Sequence, residues 1–155
     1  MKLFIIIILV TVLAITLVGC GGNDTDVGTE IANAESFEEA ARIAVEEKRS
    51  GDFSPVRNIH YNPAAEILNI ELTDSGKSVF GMHDEARFIL SRLKARTPPE
   101  LIIISYWFPA AGGGELQGMR IEFNSRDFNR TDFQNLRTDD IPRRATDYFI
   151  HADLS

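Results

Sequence analysis

Ser91 and Lys94 stand three residues apart in the run Ser91-Arg92-Leu93-Lys94. At that spacing a lysine amine can take the proton of a serine hydroxyl and make it a nucleophile. A second kind of chemistry, hydrolysis by two carboxylates, would need acids such as Asp132 with Asp139 or Asp140 to meet in space. A third would be metal-assisted. Of the histidines His60, His83 and His151, no two share a metal-ligand spacing. His83-Asp84-Glu85 is the densest titratable cluster, but consecutive helical residues point about 100° apart and cannot converge on one ion. It reads as the solvated start of a helix. Asp24-Thr25-Asp26-Val27-Gly28 has the beginning of a calcium loop, with the glycine one position early and no bidentate glutamate where the loop would close. The expectation is therefore no catalytic residue, no metal and no cofactor.

The Ser-x-x-Lys spacing is that of penicillin-interacting serine enzymes. Their supporting Ser-Asp-Asn and Lys-Thr-Gly elements are absent here, so Ser91 and Lys94 read as the solvent side of an amphipathic helix. Cys20 carries a stronger pattern. Lys2 gives a positive start, and residues 3–18 are apolar apart from Thr11 and Thr16. As a helix that stretch covers about 24 Å at ~1.5 Å per residue. A membrane span needs about 30 Å, so the length suits a signal-peptide core. Leu17-Val18-Gly19-Cys20 then resembles the lipobox of bacterial prolipoproteins. The resemblance implies a diacylglyceryl group on the Cys20 thiol, cleavage between Gly19 and Cys20, and a mature chain beginning at Cys20. Two acyl chains give stable attachment where one is marginal. The alternative is an uncleaved anchor helix with an incidental cysteine. Both place the domain outside the cytoplasm, on a cell membrane.

Charge narrows the partners. The chain of 155 residues has a formal net charge of −7, one unit more negative once Lys2 is removed. Nucleic-acid affinity rests on lysines and arginines neutralising phosphates, so nucleic acid is a poor partner. A lone cysteine excludes an intramolecular disulfide.

The residues divide into a signal peptide (1–19), a flexible tether (20–34) and one domain (35–155). The tether is rich in Gly, Asp and Thr, with a root-mean-square span near 20 Å expected for such a chain. Ser36 and Glu39 form a capping box. Phe37, Ala40, Ala41, Ala44 and Val45 continue it as the apolar face of a helix ending near Gly51. Strands are expected over 56–61 and 67–73, the second alternating Leu68, Ile70 and Leu72 with Asn69 and Glu71. Residues 74–77 read as a turn. A second helix spans 78–95 with Met82, Ala86, Ile89, Leu90 and Leu93 as its stripe. Residues 101–108 are apolar on both faces, hence a central strand. A glycine loop leads to a strand over 117–123. A closing helix starts near Asp140, with Ile141, Ala145 and Phe149 one turn apart. The order α-β-β-α-β-β-α predicts an α+β fold, a four-stranded, mostly antiparallel sheet with helices on one face.

Tyr106-Trp107-Phe108 is the candidate partner-binding segment, because Trp and Tyr dominate binding hot spots. In a strand, Tyr106 and Phe108 share one face and Trp107 takes the other. The segment Asp147-Tyr148-Phe149-Ile150-His151, with the aromatic strand, is similar to small uncharacterised lipoproteins of Gram-positive bacteria and their mobile elements, over about the last sixty residues. No site follows from that likeness. The expected function is a membrane-anchored extracytoplasmic lipoprotein, bound to lipid through Cys20, acting as a non-catalytic interaction module for an envelope protein. The alternatives are a small cell-envelope hydrolase using carboxylates or the Ser-Lys pair, and a small-ligand sensor with an apolar groove beside Trp107.

Overall fold

Period-two alternation over 67–73 and 119–123, on either side of a run apolar on both faces, builds the middle of the sheet. A computed structural model describes residues 24–50, 56–73, 76 and 78–154. Gly19 and Cys20 lie outside the described residues, as do Asp74, Ser75 and Lys77 of the expected turn. The strands are β1 (Val56–Asn62), β2 (Ile67–Thr73), β3 (Leu101–Pro109), β4 (Glu115–Asn124) and β5 (Asp147–Ile150). They form a five-stranded sheet in the order β1-β2-β3-β4-β5, so β3 is central, as its two apolar faces require. Three of the pairings are antiparallel and β2 with β3 is parallel. The four-stranded, mostly antiparallel expectation is thus corrected to a five-stranded mixed sheet. The crossover between β2 and β3 is α3 (Val79–Leu93), a helix long enough to return the chain to the same end of the sheet.

The fifth strand comes from the expected closing helix. A 3-10 turn over Thr138–Asp140 runs there into a single α-helical turn, Ile141–Arg144 (α5), with Pro142 in its first turn and Ile141 buried. Residues 147–150 instead pair with β4, matching Met119 to Ile150 and Ile121 to Tyr148. Thr146 N–H donates to Glu122 O at 2.8 Å and His151 N–H to Gly118 O at 2.7 Å, closing the pairing at both ends. The open edge of β4 thereby wins over the four-residue spacing that favoured a helix, and Phe149 is left exposed.

The expected tether is corrected as well. Residues Asp24–Asn33 form a helix, α1. Val27 and Ile31, one turn apart, pack into the core, and Ile31 is completely buried. Two apolar residues around Gly28 are too few for periodicity to reveal; docking on the domain supplies the stability that propensity lacks. Beyond α3, Arg96 Nη1 donates to the carbonyls of Ile31 and Ala34, satisfying the end of α1, and its guanidinium lies 4.9 Å from the Phe37 ring centroid.

α2 (Phe37–Lys48) starts as expected: Glu39 N–H donates to Ser36 Oγ at 3.1 Å. Glu39 Oε2 reaches back to the N–H of Glu35 rather than of Ser36, at 2.6 Å. Ala40, Ala41, Ala44 and Val45 are all buried. Salt bridges hold α2 to α3: Lys48 to Asp84 at 2.7 Å, Arg92 to Glu47, and the buried Arg49 to Glu85 at 2.8 Å. One core results. Leu68, Ile70 and Leu72 of β2, Ile102, Ile104 and Tyr106 of β3, and Met119, Ile121 and Phe123 of β4 all point into it beneath the helices. A fourth short helix, α4 (Ser125–Arg130), closes the end of the core with Phe128. No described helix is long and apolar enough to cross a membrane.

Candidate functional site

The strand that carries the three aromatics separates them. Tyr106 is fully buried, and its hydroxyl donates to Met82 O at 3.0 Å. It cannot touch a partner while the domain is folded, which corrects its place among the expected contact residues. Phe108 is half-buried and packs against the core. Its ring lies over Gly118, where a Cβ would run into the ring and into Leu154. Gly118 is skipped in the register, since Tyr106 faces Met119 and Trp107 faces Gln117, so it forms a bulge whose missing side chain makes room for Phe108. Trp107 alone reaches the other face.

That face holds the residues alternate to the core set. Across the strands, Glu71, Ser105, Arg120 and Phe149 stand in one row, and Asn69, Ile103, Glu122 and Asp147 in the next. Among the described residues no helix covers it, and most of these side chains are half-buried against one another. Arg57 lies over the Trp107 ring, its guanidinium carbon 4.3 Å from the centroid. It is held there by Glu71 at 3.4 Å and by Glu115. The buried indole Nε1 has no hydrogen-bond partner. Phe149, 44 % exposed, lies at the β5 edge of the same face. The sequence holds no local pattern that would join Arg57 to Trp107, because the contact crosses from β1 to β3.

Of the residues singled out for chemistry, Ser91, Lys94 and Asp132 line one cleft, and the others lie apart from it. Ser91 Oγ donates to Phe88 O at 2.7 Å, and Lys94 Nζ donates to Asn129 O at 3.0 Å. Lys94 also sits 4.9 Å from the Phe128 centroid and 5.7 Å from that of Phe133. Burial lowers the pKa of its ammonium, and Asp132 opposes the shift. Ser91 and Lys94 line one cleft of about 360 Å³, yet the Ser91 hydroxyl and one N–H of the Lys94 ammonium each go to a backbone carbonyl rather than to one another.

His83, Asp84 and Glu85 diverge, as their helical spacing requires, but two of them are buried rather than solvated. His83 Nε2 lies 2.9 Å from the Tyr148 hydroxyl. Burial pushes its pKa below the ordinary histidine value, with Asp139 acting the other way, and burial raises that of Tyr148. Asp84 binds Lys48 and Arg87, whose hydrogen bonds lower its pKa. Glu85 takes Arg49 in a two-pronged pair, at 2.8 and 3.1 Å. The expected solvated helix start is buried because α2 and β5 pack over it.

The remaining acids also go separate ways. Asp132 accepts from the side-chain amide of Asn135 at 2.8 Å, which lowers its pKa, while Asp140 meets Arg143 at 3.1 Å and Asp139 meets Arg137 at 4.0 Å. His60 is exposed, 3.8 Å from Glu38. The stretch compared with a calcium loop and assigned to the tether is helical from Asp24. Among the described residues, no three His, Cys, Asp or Glu side chains come together to hold a metal.

No protein-family model, curated protein or solved structure matches the chain. The functional reading therefore rests on the residues and their geometry.

Proposed function

We propose that this chain is an extracytoplasmic lipoprotein, tied to a membrane through acylated Cys20, and that its domain is a non-catalytic module docking an envelope protein on the uncovered face of the sheet around Trp107. The observation that carries the docking reading is the one-sided packing: helices bury one face of a five-stranded sheet, and Trp107 lies on the other beside a free apolar edge residue, Phe149. A large aromatic ring on an uncovered sheet face gains on association by further burial. The partner surface is basic. Glu71, Glu115, Glu122 and Asp147 outnumber Arg57 and Arg120 on this face, and a basic surface complements that excess. Ser91 and Lys94 each donate to a backbone carbonyl, and Asp132 accepts from Asn135, an arrangement that supports docking over hydrolysis.

The test is site-specific photocrosslinking in intact membranes. A photoreactive residue at Gln117, the register neighbour of Trp107, is expected to capture a discrete protein; one at Phe80, exposed on α3, is not. Trp107→Ala should weaken capture of that partner about tenfold or more, the cost of a hot-spot residue. Equal capture from both positions would overturn the assignment of the face. No capture from Gln117, together with hydrolysis of a cell-wall substrate by the purified chain, would overturn the module reading.

A further inference from the structure

Arginine is matched almost everywhere in this acidic chain. Arg49 pairs with Glu85, Arg87 with Asp84, Arg92 with Glu47, Arg120 with Glu122 and Arg143 with Asp140. Arg42, Arg57, Arg126 and Arg137 also meet carboxylates, and Arg96 meets carbonyls. Among the described residues, Arg130 and Arg144 alone of the arginines have neither kind of partner. They come from different elements, the end of α4 and the end of α5, yet both line one cleft of about 240 Å³ beside Thr131 and Asn135. The adjoining cleft shares Arg130 and adds Lys94. The single carboxylate there, Asp132, already accepts from the Asn135 side chain at 2.8 Å and from its backbone N–H at 3.3 Å.

Three cations against one occupied carboxylate make a local excess of positive charge in a protein of net charge −7. We propose that the cleft between Arg130 and Arg144 is a binding site for a phosphate group. The planar guanidinium fork matches tetrahedral phosphate oxygens with two parallel hydrogen bonds. A phosphate monoester, carrying about −1.5 to −2 charges at neutral pH, answers the excess more fully than a single carboxylate does. The phosphate belongs either to a small soluble phosphate ester, with three terminal oxygens, or to a lipid headgroup, whose phosphodiester has two terminal oxygens and a single charge; both can fill a guanidinium fork. The site lies on the helix side of the sheet, away from Trp107, and stands independently of the docking proposal.

The experiment is a titration of the full chain in neutral detergent at pH 7.5, followed by NMR of the arginine Nε–H and backbone N–H signals. Inorganic phosphate is expected to shift Arg130, Arg144 and Thr131 saturably, with a Kd of about millimolar order, the range open to a few charge-assisted contacts. Arg130→Gln and Arg144→Gln, both surface changes, should each weaken binding about tenfold, while Arg42→Gln, an exposed arginine on α2, leaves it unchanged. Bicelles containing phosphatidylglycerol, compared with phosphatidylcholine alone, distinguish the sources: a response to them without one to free phosphate assigns the headgroup. No saturable response to either phosphate source overturns the site. So does acetate binding as tightly as phosphate.

Discussion

Ile31→Ala separates the docked helix α1 from the domain it rests on. Ile31 has 0 % of its surface exposed. Trimming a buried isoleucine to alanine costs about 2–5 kcal/mol. Burying the side chain contributes about 1.5–3 kcal/mol in the first place. Val27 is only half-buried, and the other attachment is Arg96 on the last carbonyls of α1. The substitution therefore removes most of what holds α1 down, while α2, α3 and the sheet keep their contacts. A loss of about 3 kcal/mol corresponds to about a hundredfold change in an opening equilibrium, which amide hydrogen exchange reads directly. Exchange over residues 24–33 is expected to quicken about a hundredfold, with protection in β2, β3 and β4 unchanged. Retained protection over 24–33 would show that Ile31 does not dock the helix. Loss of protection across the whole domain would show that α1 is no separable unit. The consequence for an acylated Cys20 is geometric. With α1 docked, residues 20–23 reach at most about 14 Å at ~3.5 Å each; with α1 released, the whole tether segment reaches much farther, and the domain is no longer held close to the bilayer.

Two further outcomes follow from buried polar groups. Glu85→Gln leaves the Arg49 guanidinium buried beside a neutral amide, and should lower the urea-unfolding free energy by about 3–5 kcal/mol. The double replacement Arg49→Met, Glu85→Leu should recover most of that loss, and a single variant costing under about 1 kcal/mol would contradict the pair's structural role. His83 is held below its ordinary pKa by burial, so the unfolded chain binds its proton first as pH falls. Stability is then fully present above the unfolded value of about 6.5 and declines below it, towards the folded value. Urea midpoints between pH 7.5 and 5 should show that decline, and His83→Gln should flatten it; an identical slope in both proteins would contradict the assignment.

Much of the domain was legible where local rules agree. The Ser36 cap, the alternation of Leu68, Ile70 and Leu72, and the stripe Met82, Ala86, Ile89, Leu90, Leu93 all lie where their spacing places them. The errors fall where tertiary contact decides. α1 has two core residues and a glycine, so it exists only docked. Residues 147–150 satisfy a helical spacing through Phe149 and a strand alternation through Tyr148 and Ile150, and the free edge of β4 settles it. Nothing local shows that α3 returns β3 parallel to β2. The uncovered face was half legible. Alternation sent Trp107 away from Tyr106, but Arg57, Glu115 and Phe149 join it only through pairing of distant strands. The unmatched pair Arg130 and Arg144 is likewise invisible until every other arginine has found its partner.

The central claim, an interaction module fastened to a membrane by a thioether-linked lipid, is tested most directly by intact mass and N-terminal analysis of the chain extracted from membranes. The account predicts a mature polypeptide starting at Cys20 and carrying diacylglyceryl mass, and a Cys20→Ala variant that keeps its signal segment or leaves the membrane fraction. A membrane-resident chain retaining Met1 with no acyl mass, or a Cys20→Ala variant still labelled by fatty acid, would contradict it.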